Sequence, residues 1–165
     1  YARDMFLFSF YTRGMSFIDM AYLKKSDLKN GIITYRRRKT GQQLTVKWEK
    51  CMEDIIAKYR ENTATRYLLP IITNPCSDER TQYRNAICRI NVALKEVASL
   101  AGLNIPLTMH VARHCWASVA KSKNIPLSVI SEGMGHDSEE TTRIYLASLD
   151  TSVVDKANSL ILKDF

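Results

Sequence analysis

The chain has 165 residues, of which 45% are hydrophobic and 25% are charged, values typical of one ordinary globular domain. This balance excludes collagen-like, low-complexity and largely disordered chains, and no apolar run approaches the roughly 20 residues that a membrane helix needs. The 24 Lys and Arg residues against 17 Asp and Glu give a net charge of +7, which favours a polyanionic partner, either nucleic acid or an anionic membrane surface.

Two helices are predicted at the start of the chain. Apolar residues recur at helical spacing over residues 2–23, and Gly14, which costs a helix about 1 kcal/mol relative to Ala, interrupts the pattern. We therefore expect two helices that meet at a turn near Arg13, with Ser16 capping the second helix and Asp19 in its first turn.

A β-hairpin is predicted over residues 31–47. Two runs rich in β-branched and aromatic residues, GIITYRR and QQLTVKW, flank the turn-forming sequence RKTG. This arrangement places Lys39 at or beside the tip of the hairpin. Apolar positions at helical spacing then predict an amphipathic helix to about Asn62, and the apolar segment 67–73, broken by Pro70, predicts a buried loop.

Four helices are predicted over the second half of the chain, each from an apolar repeat at helical spacing. A last amphipathic stretch covers residues 153–161. The whole chain is therefore expected to be one α+β domain over residues 1–165, mostly helical with one small antiparallel sheet. The residues expected to begin and end the helices are Asp78, Leu100 and Gly102 for the first, Thr108 for the second, Asn124, Pro126 and Gly133 for the third, and Asp137 with Glu140 for the fourth.

His110 and Arg113 form a candidate anion site. They lie three residues apart on a predicted helix, so both side chains emerge from one face. His110 falls in the first turn, where the backbone dipoles favour an anion, and an arginine binds phosphate oxygens in bidentate fashion. Taken alone, the pair is also explained by a surface arginine beside a packed histidine.

A metal site is an alternative for the same helix. His110 and His114 have the spacing of a metal-binding pair, and Cys115 follows directly. The glutamate of the HExxH motif is missing, however, and Arg113 between the two ligands would repel a cation. We therefore expect His114 to be a hydrogen-bonded core histidine and keep zinc as the alternative. The four cysteines form no CxxC pair, which is typical of reduced thiols in a cytoplasmic protein.

Two further groups of cations are candidates for binding phosphate. Arg13 lies at a turn in a hydrophobic neighbourhood, so it should be partly buried and need an anionic partner, either Asp19 or a ligand phosphate. A run of cations on the hairpin is either a solvated face or a surface that reaches the DNA backbone. The run consists of Arg36, Arg37, Arg38 and Lys39.

His136 precedes the last predicted helix of the four, and Tyr145 lies inside it, where a tyrosine taken singly is usually a core or rim residue. Together with the residues above, they lie in the motifs FYTRGMSFIDMAYL, RRKTGQ, HVARH, GMGH and TTRIYL. Taken in this order, the motifs resemble the catalytic domain of the tyrosine recombinases, the phage integrase family, and the first motif is similar to the integrases of Bacteroides-type mobile elements. The matching residues are Arg13, Lys39, His110, Arg113, His136 and Tyr145.

The resemblance implies a reaction in which Tyr145 attacks a DNA phosphodiester, leaves a 3′-phosphotyrosyl link and releases a 5′-hydroxyl. Arg13 and Arg113 would stabilise the phosphoryl transition state. His110 would act as the base for the phenol, and Lys39 would protonate the leaving oxygen. A second DNA 5′-hydroxyl would then reverse the chemistry onto a new strand.

The resemblance also implies the surroundings of the reaction. His136 would hydrogen-bond a non-bridging phosphate oxygen, and neither a metal ion, ATP nor another cofactor would take part. The partner would be double-stranded DNA, with no membrane involved, and the protomers would assemble as a tetramer on it. Residues 150–165 have the amphipathic pattern to pack on a neighbouring protomer or on their own. The protein would be bacterial, cytoplasmic and associated with the nucleoid, and the family's amino-terminal core-binding domain is expected to be missing from this chain.

Two other functions fit the same motifs. A type IB topoisomerase resembles this family in its catalytic domain, but the HxxR motif at His110 and Arg113 favours the recombinase. A decayed integrase kept as a non-catalytic DNA-binding regulator is the other alternative, and the presence of all the matched residues argues against it.

Overall fold

The structure, a computed structural model, describes residues 1–62 and 65–147. Within these ranges the chain forms seven α-helices and a three-stranded antiparallel sheet, which confirms the predicted mostly helical α+β architecture. Two short 3-10 helices lie at Lys25–Asp27 and Arg60–Asn62. The helices are α1 (Ala2–Tyr11), α2 (Phe17–Ala21), α3 (Lys50–Ala57), α4 (Glu79–Leu100), α5 (Met109–Ser122), α6 (Leu127–Met134) and α7 (Glu139–Ala147), and the strands are β1 (Leu28–Lys29), β2 (Ile32–Arg36) and β3 (Gln43–Lys47).

The sheet confirms the predicted hairpin and adds one strand. β2 lies between β1 and β3, and Tyr35 on β2 is directly opposite Leu44 on β3. The loop of residues 37–42 joins these strands and carries Lys39 at its tip, as predicted. β1 was not foreseen, because two residues are too few to show an alternating pattern. The buried side chains of the hairpin, which alternate with exposed ones, are Ile33, Tyr35, Leu44 and Val46.

Two hydrophobic clusters hold the helices together. In the larger cluster, α1 packs against α3, α4 and α5 and buries Met5 and Phe8 completely. The smaller cluster joins α5, α6 and α7. It therefore fixes the position of the helix that carries Tyr145. Its buried members are Ala117, Ala120, Ile130, Met134 and Leu146.

Several predicted helix ends are confirmed. The two helices near Arg13 meet at a turn, and the Oγ of Ser16 accepts the N–H of Asp19 at 3.4 Å. Asp78 caps α4 by accepting the N–H of Thr81 at 2.7 Å. The segment 67–73 is the predicted buried loop, with five buried apolar side chains. They are Tyr67, Leu68, Leu69, Ile71 and Ile72.

Two predicted helix ends are wrong. The helix expected to reach Asn62 ends at Ala57, because Lys58 N–H bonds to the carbonyl of Ile55 and the chain tightens into 3-10 geometry. The helix expected to stop at Gly133 continues to Met134. It stops there because the next residue, Gly135, adopts the left-handed conformation with φ +63°.

Two predicted caps are also corrected. Ser138 rather than Asp137 caps α7, since the Oγ of Ser138 accepts the N–H of Thr141 at 3.2 Å. Thr108 precedes α5 as predicted, but its side chain makes no capping hydrogen bond.

The N-terminus of α5 is instead capped from another helix. The Oδ1 of Asn91 on α4 accepts the N–H of Met109 at 2.9 Å. This bond fixes the first turn of α5, which carries His110, against α4. The amphipathic stretch 153–161 lies outside the described residues, and none of the helices in the described ranges is long and apolar enough to cross a membrane.

Candidate active site

Arg113 is a buried guanidinium that joins three segments of the chain. Its side chain, 6% exposed, donates from Nη1 to the carbonyl of Gly14 at 2.7 Å and from Nη2 to the carbonyl of Met134 at 2.6 Å. Nη2 also lies 3.1 Å from Nε2 of His136. Arg113 therefore connects the α1–α2 turn to the turn between α6 and α7.

The close approach of Arg113 requires a glycine at position 14. Gly14 has φ +73°, and a Cβ there would lie 2.8 Å from Cγ and 2.9 Å from Cα of Arg113. Since the Cα belongs to the backbone of α5, the two segments would have to separate to make room.

We expect Gly14→Ala to destabilise the protein more than Gly31→Ala does. Both glycines have φ +73°, but a Cβ at Gly31 would meet nothing within 4 Å. Gly31→Ala should therefore lower the free energy of unfolding by only about 1–2 kcal/mol, the cost of placing an alanine in the left-handed conformation. Gly14→Ala should lower it by about 1–3 kcal/mol more, because the added methyl group overpacks the contact with α5. Urea unfolding of the two variants measures the difference. Equal losses would mean that α5 moves away from position 14 without cost.

Arg13 is half-buried at the turn between α1 and α2, as predicted. It adopts φ +61°, and its Cδ lies 3.7 Å from where a Cβ would stand on Gly133 of α6. Asp19 is occupied by other donors, the Oγ of Ser16 at 2.5 Å and the backbone N–H of Arg38 at 2.9 Å. Both of these donors to Asp19 come from residues other than Arg13, and the binding of a ligand phosphate by Arg13 stays a prediction.

Three arginines from different segments converge near Tyr35 of β2. Burial raises the pKa of Tyr35, with a further contribution from Asp19, and the positive charges of Arg113, Arg37 and Arg13 oppose that rise. These cations are therefore close enough to act on one group, although they lie far apart in the sequence. Such a concentration of positive charge suits a phosphate.

His136 is held between Arg113 and Thr142. Because an arginine can only donate, Nε2 of His136 accepts the hydrogen bond from Arg113, and the proton lies on Nδ1, 2.7 Å from Oγ1 of Thr142. Burial, followed by repulsion from Arg113, Arg37 and Lys39, lowers the pKa of His136 to about 4. The imidazole is therefore neutral at pH 7 and braces Arg113. The predicted bond from His136 to a phosphate oxygen would need Nε2 to carry a proton instead.

Tyr145 lies among the three histidines of the chain. Its ring stacks on that of His114, with centroids 4.6 Å apart and planes within 3°, and it meets His136 edge-on at 5.7 Å and His110 at 6.3 Å. Burial raises the pKa of Tyr145 to about 12, and the charge of Arg113 opposes this only partly. The phenol is therefore protonated at neutral pH, and an attack by its oxygen requires an acceptor for the proton.

His110 is an available proton acceptor. It is exposed in the first turn of α5, and its ring contacts His114 edge-on with centroids 4.4 Å apart. Desolvation, with repulsion from Arg113 and Lys39, lowers the pKa of His110. The imidazole is therefore neutral at pH 7 and can accept a proton.

The structure corrects the prediction for His114. A hydrogen-bonded core histidine was expected, but Nδ1 of His114 is buried with no hydrogen-bond partner among the described residues, and its ring serves as the stacking surface for Tyr145. No signal in the sequence pointed to this stacking. All four cysteines are free, and the described residues contain no group of three or more His, Cys, Asp or Glu that could hold a metal ion.

The hairpin cations divide into two groups. Arg36, Arg38 and Lys39 are exposed. Arg38 lies 3.6 Å over the ring of Tyr22 and donates its backbone N–H to Asp19, which attaches the hairpin loop to α2. The predicted contacts of these cations with DNA stay predictions.

Arg37 is buried, which sequence reasoning missed. The residue is 6% exposed, and its guanidinium donates from Nη1 to the carbonyl of Gly135, next to His136. The alternating pattern in the sequence indicated this burial, since Arg37 follows the inward-facing Ile33 and Tyr35 at a spacing of two residues. It was missed because Arg37 lies in a run of four cations, which is typical of an exposed segment.

Comparisons with known proteins show similarity over most of the chain. A model of the phage integrase family matches residues 2–152, whereas no relative is found among the curated proteins. XerA recombinase is similar in structure, with a TM-score of 0.65 and 20% identity over 96% of this chain and 60% of that one. XerH recombinase in a post-cleavage complex with a palindromic difH substrate has a TM-score of 0.64 and 20% identity over 94% of this chain and 45% of that one. A lambda integrase tetramer bound to a Holliday junction has a TM-score of 0.60 and 20% identity over 87% of this chain and 41% of that one. The chain thus spans about half of the length of these proteins.

Proposed function

The chain belongs to the phage integrase family and has the fold of a tyrosine recombinase catalytic domain, and from that premise we propose that it cleaves and rejoins DNA strands through Tyr145. The observation that carries the proposal is the convergence of His110, Arg113, His136 and Tyr145 from three separate segments. Residues 1–165 would form the catalytic domain, and double-stranded DNA would be the partner. The net charge of +7 suits that partner.

In the proposed first step, the Oη of Tyr145 attacks a phosphodiester phosphorus. The new P–Oη bond forms as the P–O5′ bond breaks, and the electron pair of the broken bond stays on the 5′-oxygen. His110 accepts the phenol proton, and Lys39 gives a proton to the leaving oxygen, which departs as a 5′-hydroxyl. Since one phosphate ester replaces another, the step balances without ATP or a metal ion.

The positive groups stabilise the transition state. Arg113 and Arg13 would bind the non-bridging oxygens, where negative charge accumulates as the phosphoryl group transfers. His136 would act through Arg113, which it holds at 3.1 Å. This assignment makes His136 a positioning residue.

The second proposed step reverses the first on another strand. A 5′-hydroxyl of a second DNA end attacks the phosphotyrosine, expels Tyr145 and rejoins the backbone, while His110 returns its proton and Lys39 regains one. Exchange between strands needs several protomers, and lambda integrase has been solved as a tetramer on a Holliday junction. We extend that assembly to this chain as part of the proposal.

Covalent trapping tests the proposed function. A pool of nicked duplexes of randomised sequence is incubated with the protein, and adducts that survive denaturation are isolated and sequenced. We expect an adduct with a 3′-phosphate on Tyr145, located by peptide mass spectrometry. The absence of any adduct would contradict the proposal, and relaxation of supercoils without strand exchange would indicate a topoisomerase instead.

The pH dependence of cleavage should report His110. At sub-saturating DNA, where the profile reports the free protein, we expect the rate constant to fall as the solution is acidified, with the midpoint of the decline below pH 6.5. The base must be neutral to accept a proton, and the pKa of His110 is lowered from 6.5 by partial desolvation and by the charges of Arg113 and Lys39. His110→Asn should cleave more slowly and lose this acidic limb. A decline with its midpoint above pH 6.5 would assign the limb to another group.

A further inference from the structure

The burial of Arg37 sets it apart from the other cations of its loop. Its side chain is 6% exposed, while Arg36, Arg38 and Lys39 on either side are exposed. Taking a guanidinium out of water is costly unless its donors are satisfied. No described residue forms a salt bridge with Arg37, so its burial is not explained by a carboxylate partner. Within the described part of the chain, the contacts that keep the guanidinium of Arg37 buried are therefore hydrogen bonds and packing rather than an ion pair.

Arg37 docks the hairpin on the turn that precedes His136. Its Nη1 donates to the carbonyl of Gly135, and a Cβ on Gly135 would lie 3.3 Å from Cδ of Arg37 and 2.8 Å from Cδ1 of Leu44. Leu44 of β3 and Arg37 of the hairpin loop thus both pack against this glycine. The contact spans 98 residues of sequence.

Arg37 is also the base of the loop that carries Lys39. Its backbone N–H donates to the carbonyl of Gln42, and its carbonyl accepts the N–H of Gly41, both at 2.8 Å. One residue therefore closes the loop with its backbone and anchors it with its side chain. Lys39 stands two positions further on, with its own side chain exposed.

The electrostatics favour a role in the reaction over a purely structural one. Burial, followed by the nearby charge of Arg37, lowers the pKa of Arg113 to about 10. Two like charges that share one turn, with no carboxylate bridging to either among the described residues, destabilise the empty site. An anion bound beside them removes that repulsion.

We propose that Arg37 is a positioning residue that docks the hairpin loop on Gly135 and so holds Lys39 beside the phosphate that Arg113 binds. The inference rests on the proposed function, since it gives Lys39 a leaving oxygen to protonate. Without the bond from Arg37 to Gly135, the loop would still be attached to α2 through Arg38 but would lose its direct link to the turn that carries His136. Lys39 would then reach the leaving oxygen in only a fraction of the molecules.

A substrate with sulfur in place of the bridging 5′-oxygen separates this role from others. A thiol has a pKa of about 8.5, against about 15.7 for water, so a 5′-thiolate leaves without a general acid. On the ordinary duplex recovered by trapping, we expect Lys39→Ala to cleave about 10²-fold more slowly or worse, and Arg37→Gln roughly 10-fold or more. With the sulfur substrate, both variants should approach the wild-type rate. All rates are taken at saturating DNA, after urea unfolding has established that each variant is folded.

Two further variants complete the test. Lys47→Gln removes an exposed charge from β3 of the same sheet and should cleave both substrates at the wild-type rate. Gly135→Ala adds a methyl group 3.3 Å from Cδ of Arg37 and so disturbs the same contact. We expect it to show the same defect as Arg37→Gln, with the same rescue by the sulfur substrate. It therefore replaces Arg37→Gln if that variant does not fold.

The outcomes distinguish this inference from the proposed function. An equal defect of Arg37→Gln and Gly135→Ala on both substrates would overturn the positioning role and indicate a direct contact between Arg37 and phosphate. No defect on either substrate would also overturn it. Failure of the wild-type protein to form an adduct on any duplex would instead overturn the proposed function.

Discussion

Tyr145→Phe should abolish the covalent protein–DNA adduct and leave the affinity for the same DNA within about twofold of the wild type, because most of that affinity comes from phosphate contacts. The substitution removes only the hydroxyl. The ring remains to stack on His114, which it now meets with planes within 3°, so α7 keeps its place against α5. The nucleophile is lost without a change in the shape of the site.

The measurement is a denaturing gel with the nicked duplex, alongside a binding titration at fixed salt. Tyr11→Phe is the matched control, since Tyr11 is also half-buried but lies on α1 outside the histidine cluster. It should form the adduct at the wild-type rate. Adduct formation by Tyr145→Phe would assign the nucleophile to another residue and contradict the proposed mechanism.

The state of Tyr145 bears on how the nucleophile is activated. Cations near a phenol favour the phenolate, which is the simplest way to make a tyrosine reactive. In this structure burial outweighs them, and the pKa of Tyr145 rises to about 12. The arginines therefore do not activate the phenol by themselves. The proposed mechanism thus needs a neutral base, and His110 is the residue that we assign to this role.

The sequence supports predictions about elements better than about contacts. The turn at Arg13, the cap at Ser16 and the tip position of Lys39 follow from local preferences, which a single sequence contains, and all three agree with the structure. The cap at Ser138 was assigned one residue too early, because Asp137 has the same local chemistry. Such errors are small, since they move an element by one residue.

Contacts between distant segments could not be predicted in this way. The cap of α5 comes from Asn91, 18 residues away, and the bond from Arg113 to Gly14 crosses 99 residues. Periodicity shows which face of an element is buried but not what lies against it. The alternation in β2 could have placed Arg37 inward, yet nothing in the sequence indicated Gly135 as its partner.

Arg113→Lys should reduce cleavage by about 10²–10³-fold at saturating DNA, the usual effect of losing one positioned donor to a developing negative charge. Lysine keeps the charge, but one ammonium on a flexible stem cannot donate along the fixed directions to Gly14, Met134 and His136 together. The free energy of unfolding should fall by about 1–3 kcal/mol, because at least one buried acceptor loses its donor.

Single-turnover cleavage measures the loss of rate, and urea unfolding measures the loss of stability. Comparing the two shows whether the loss of cleavage follows from unfolding. Arg84→Lys, an exposed exchange of the same type on α4, should change the stability by less than about 0.5 kcal/mol and leave cleavage intact. If Arg113 only joined the α1–α2 turn to the α6–α7 turn, Arg113→Lys would lose stability while its folded fraction cleaved at the wild-type rate. A loss of cleavage in fully folded protein, with DNA affinity retained, requires instead that the guanidinium act on the phosphate itself.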